Sequence, residues 1–74
     1  MERRLYRELW NIRFQRMLKL EKNSAAVYEK LLAECRESNR DHSVVTHLER
    51  LVQDEKRHAR LCEELLEILG RQID

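Results

Sequence analysis

A glutamate and a histidine three residues apart, in Glu55-Lys56-Arg57-His58, stand in the second half of this 74-residue chain. One helical turn apart, a carboxylate and an imidazole project from the same side and can grip one metal ion. Around them Leu48, Leu51, Glu55, His58, Cys62, Leu65 and Leu69 recur at alternating spacings of three and four. That is the seam of a heptad pattern, with an acid and an imidazole where leucine would ordinarily stand. Such groups need partners or a ligand, because burying them unpaired is costly. In helix bundles this pair is the usual holder of two iron or two manganese ions.

The seam must be carried by a helix, and the whole composition is helical. Proline is absent, the single glycine is Gly70, and Glu, Lys, Arg, Leu and Ala dominate. The one convincing break is Ser38-Asn39-Arg40-Asp41-His42-Ser43. Asn39 suits a left-handed helix end, and Asp41 or Ser43 suits an N-cap. The expectation is a helix over about 13–37, a turn over about 38–42 and a helix over about 43–69 stopped by Gly70. A short connection folds the two back as an antiparallel hairpin. The first helix has its own seam of Phe14, Leu18, Glu21, Ala25, Tyr28, Leu32 and Cys35, again interrupted by one carboxylate.

Counting outward from a turn between Asn39 and Arg40 sets Glu21 level with His58, and Glu55 level with Ser24 and Ala25. All three polar interruptions then share one layer, about 25 Å from the turn at 1.5 Å per residue. The small side chains Ser24, Ala25 and Ala26 leave volume opposite Glu55. Tyr28 follows Glu21 by seven residues, and its hydroxyl is within reach of a carboxylate because helical side chains lean toward the N-terminus. It either orients a ligand by hydrogen bonding or is a core tyrosine with an ordinary acceptor. Each interruption alone has a bland explanation: an arginine facing Glu55, a satisfied core His58, a Glu21 reaching to water. Three at one height on two seams favour a metal, since buried acids are rare unless paired or metal-bound.

Charged residues make up 39% of the chain, yet the net charge is only +1. No nucleic-acid partner is expected from so balanced a surface. No apolar run has the length of a membrane span and no signal peptide is visible, so a cytoplasmic protein is the default expectation. Residues 1–12 are out of phase, with Leu5, Leu9 and Ile12 on a displaced stripe. They read as an N-terminal helical extension or short separate helix that packs elsewhere, with a membrane-surface helix as the minor alternative. Cys35 and Cys62 lie about 27 Å apart along the hairpin, so reduced, buried thiols are expected. His42 and His47, five apart, do not stack on one face and make a poor metal site even with Asp41. There is no zinc pattern, phosphate loop or paired nucleophile.

One hairpin supplies only half of a dinuclear site, and it has no second layer to cover its seams. Two copies related by a two-fold axis would make a four-helix bundle with two Glu21, two Glu55 and two His58 around one cavity. The fold class expected is therefore all-α, an antiparallel two-helix hairpin that dimerises into a ferritin-like four-helix bundle. Carboxylates and imidazole suit iron, two per dimer, with manganese or zinc also accepted.

Glu21, Tyr28 and the Glu55–His58 pair together resemble one half of a rubrerythrin or ferritin-like domain, over roughly residues 14–69. The single-set hairpin is most similar to the half-ferritins typified by the encapsulated ferritins. That resemblance implies a ferroxidase centre between subunits, with Glu55 bridging two irons and Glu21 and His58 as terminal ligands. It also implies that Tyr28 is the family's hydrogen-bonding tyrosine, and that oxygen or peroxide is the oxidant. An encapsulin-type shell would be an implied partner, but Gly70-Arg71-Gln72-Ile73-Asp74 shows no targeting tail. Leu20, Lys22 and Asn23 stand where those relatives carry extra acids. The reading from a different class is a metal-free helical hairpin that dimerises as an interaction module.

Overall fold

The computed structural model describes residues 2–38 and 41–72, and Asn39, on which the left-handed helix end was expected, lies outside them. Two helices make up the fold, α1 (Arg3–Ser38) and α2 (His42–Gly70). They pack along each other as an antiparallel hairpin 55 Å long and 14 × 13 Å in cross-section. Asp41 starts α2: its backbone is extended at φ −70° and ψ 104°, and its Oδ1 accepts from the Ser43 N–H at 3.0 Å. A side-chain acceptor there satisfies one of the donors a helix N-terminus leaves open.

The other end of α2 corrects an expectation. Gly70 is the last helical residue, not the stop beyond the helix, and no described glycine has positive φ. The chain leaves at Arg71, whose N–H donates back to Glu67 O at 3.1 Å and Ile68 O at 3.2 Å while its own backbone stays right-handed. These tightened bonds close the last turn without a left-handed residue.

Residues 3–12 are the continuous first part of α1, a helical extension and not a short separate helix. They pack on the same chain: Arg7 Nη1 donates to Gln72 O at 2.6 Å. Tyr6, Trp10 and Phe14, each four residues after the last, form a tilted stack with centroids 6.1 and 5.5 Å apart. The Arg13 guanidinium covers Trp10 at 4.7 Å. With Leu65, Ile68, Leu69 and Gln72 the aromatics line a groove of about 250 Å³ at the open end of the hairpin.

The α1 seam from Phe14 to Cys35 faces α2 as its spacing predicts, with Ala25 and Leu32 buried. On α2 the buried row is different from the expected one. Val45, Leu48, Val52, Glu55, Ala59, Cys62, Leu66 and Leu69 face α1, whereas Leu51 stays 41% exposed. Two overlapping heptads share Leu48, Glu55, Cys62 and Leu69, and the hairpin buries one flank of them. Leu51, His58 and Leu65 sit on the other flank.

The two faces of the hairpin therefore differ. The residues following the seam positions carry its cross-helix ion pairs: Lys22–Glu63 at 3.7 Å, Lys56–Glu29 at 2.8 Å and Arg36–Glu49 at 3.3 Å. At about 100° per residue, the residues preceding the same seam positions must point to the opposite face. Those are Leu20, Val27 and Glu34 on α1 and His47, Asp54 and Leu61 on α2, with Ile68 following one heptad after Leu61. Leu20, Val27, Leu61 and Ile68 are exposed apolar side chains, and the other three are polar. Met17, Leu31, Val44 and Leu51 extend this apolar face along the hairpin. One face is ionic and self-paired, and the other is mostly apolar and open.

Candidate metal centre

Glu21 lies near the middle of α1, and Glu55 and His58 near the middle of α2. Glu21 and Glu55 occupy facing seam positions, so each helix presents one carboxylate to the other. His58, one turn beyond Glu55, is offset toward the apolar face. His58 Nδ1 stands 3.5 Å from Glu21 Oε2 and 3.9 Å from Glu55 Oε2. One ligating atom from each of the three lies within 4.8 Å of the others, the single such group among the described residues. These spacings suit a cation seated between them, bound at about 2.0–2.2 Å from each.

Exposure grades across the cluster. The Glu55 side chain keeps 18% of its surface, Glu21 29% and His58 45%. The deepest carboxyl is the perturbed one. Glu55 titrates above its ordinary value of 4.5, first because of a side-chain hydrogen bond with Glu21, then through burial and the Glu21 charge. A carboxyl facing a second carboxyl ionises less readily, because the neutral acid can donate to its neighbour and the anion is repelled by it. His58 pulls in the other direction by favouring the anion. Two carboxyls with an imidazole beside them are donors of the kind that a divalent ion accepts.

Cys62 is buried one turn past His58, and burial first, then Glu21 and Glu63, push its thiol up. It is free, as is the half-buried Cys35, in agreement with the expectation of reduced thiols. Tyr28 is half-buried on the α1 seam, and its hydroxyl has no hydrogen bond to Glu21, Glu55 or His58. Of the small residues there, Ala25 is buried, Ser24 half-buried and Ala26 exposed. His47 is not part of any ligand group: its Nδ1 lies 2.7 Å from Ser43 O, where it braces the first turn of α2. Asp41 is committed to the cap. Asp54 pairs with Arg57 at 3.6 Å on the surface, as expected of a solvated charge pair.

The side chains that sequence reasoning did not single out are those of the apolar face. Their signal was present as a second 3–4 spacing, Met17, Leu20, Ser24, Val27 and Leu31, displaced from the first seam. No described helix is long and apolar enough to cross a membrane. Compared with family models, curated proteins and solved structures, the chain matches none of them.

Proposed function

We propose that this hairpin is half of a dinuclear carboxylate centre that binds Fe(II) and oxidises it with oxygen or peroxide, completed by a second copy of the chain. The observation that supports the reading is the meeting of Glu21, Glu55 and His58 at mid-length, with ligating atoms within 4.8 Å of one another. Hard carboxylate oxygens favour Fe(III) over Fe(II), so the donor set itself promotes loss of an electron from the bound substrate ion. Glu55, the least exposed of the three, would be the ligand shared by two ions. Glu21 and His58 are suited to hold one ion each. Tyr28, on the same seam, would orient Glu21 through its hydroxyl once the carboxylates rearrange around a cation. Manganese or zinc would be accepted by the same donors.

The ferritin-like four-helix bundle, the two-ion stoichiometry per dimer and any housing in a protein shell belong to the same proposal. The competing reading is a metal-free dimerisation module, which the broad apolar face favours. Anaerobic addition of Fe(II) followed by air separates the two. The expected result is growth of near-ultraviolet absorbance from ferric product, two irons bound per dimer, and loss of both in Glu55→Ala. An unchanged spectrum, no iron by elemental analysis and no thermal shift with Fe(II) would leave the metal-free module standing.

A further inference from the structure

We infer that the apolar face of the hairpin docks a second copy of this chain in the absence of any metal, so that the dinuclear site is assembled on a preformed dimer. The choice of partner rests on the half-site reading above, but the surface argument does not need a bound ion. The chain exposes 6094 Å², whereas a compact folded protein of 9.1 kDa exposes about 4,900 Å². The surplus, about 1,200 Å² per copy, exceeds the roughly 800 Å² per partner that a standard stable interface covers.

The interior tells the same story. Among the described residues no large side chain is fully buried, and the six buried core residues include two alanines. A single helix pair offers too little burial to offset the entropy of ordering a chain this long. Meanwhile Leu20 stays 65% exposed and Leu61 51% exposed on a common face.

That face belongs to a self-complementary contact. It carries exposed apolar side chains from both helices, with Glu34, His47 and Asp54 also on it, and such identical patches can meet across a two-fold axis. The opposite face already satisfies its charges through three cross-helix ion pairs. His58 is offset toward the apolar side, so docking there brings two imidazoles and their carboxylates to one cavity. Docking on the ionic face would hold the two sets apart.

Sedimentation of the full chain with excess chelator tests this, using metal-free wild type at about 10 μM, where a micromolar or tighter dimer is substantially populated. The expected species is a dimer. Leu20→Glu and Leu61→Glu each place a charge in the contact and should weaken it on the order of a hundredfold or more. Lys22→Gln, on the ionic face, should leave it dimeric. Because a separated hairpin can lose its helicity, a photo-crosslinking side chain at position 20 or 22 gives an independent readout. Covalent dimers should form from position 20 and not from position 22.

A chelated wild type that is monomeric, or equal crosslinking from both positions, overturns the docking, whatever metal the protein binds. A chelated dimer broken by Leu20→Glu supports the docking even if Fe(II) titration shows no binding, in which case only the metal reading falls.

Discussion

Glu55 is the least exposed of the three clustered side chains and faces a second acid. Its carboxyl is raised above 4.5, chiefly by the hydrogen bond with Glu21. A raised carboxyl holds its proton in the folded chain after the unfolded chain has released it. The resulting stabilisation is complete below the ordinary value and is lost as pH climbs through the folded value. Metal-free wild type should therefore lose thermal stability relative to Glu55→Gln as pH rises from about 4 to about 7. The glutamine can donate to Glu21 at every pH. Chelated melting curves that stay parallel across the range would rule out the retained proton. A divalent ion must displace that proton, so its apparent affinity for wild type should rise over the same window.

At the scale of the elements, the ends of α2 are the informative points. Asp41 caps it through Oδ1, and Asp41→Ala should cost about 1 kcal/mol, read by urea denaturation. Gly70 is helical, and a Cβ added there meets nothing within 4 Å. Gly70→Ala should therefore stabilise the protein by about 0.5–1 kcal/mol, by removing backbone freedom from the unfolded chain. A measured loss would mean that Gly70 is held in a conformation other than the helical one. The turn and the hairpin were legible in the sequence because Asp41 and Ser43 follow Ser38-Asn39, the one break in the helical composition. The end of α2 was less legible, since a glycine close to a helix end serves equally as the last residue or the first beyond it.

For the whole molecule, the division into an ionic and an apolar face sets how the energy is distributed. The cross-helix pairs are half-exposed, about 50% for both Lys56 and Glu29, so each contributes little. Lys56→Ala should cost less than about 1 kcal/mol in chemical denaturation, despite its 2.8 Å contact. A larger loss would show that the ionic face, not apolar burial, holds the hairpin closed. The aromatic stack at the open end extends apolar surface beyond the seams, with Tyr6 still exposed. An elongated two-helix unit with this much apolar surface points to an interface, whether or not metal is involved.

Residue spacing by itself determined the two helices, the α1 seam and the convergence of Glu21 with Glu55 and His58. Periodicity of 3.6 and a short turn leave little freedom in which residues share a height. What it left open was which flank of α2 packs inward. Leu51 and Val52 sit on overlapping heptads, and a helix with apolar residues on both flanks fits a partner on either side. Tertiary packing decided this by burying Val52 and Ala59 against α1 and leaving Leu51, Leu61 and Ile68 outside. The physical reason is pairwise: a flank is chosen by the apolar surface facing it, while the half-exposed ion pairs Lys22–Glu63, Lys56–Glu29 and Arg36–Glu49 close over that side and add little.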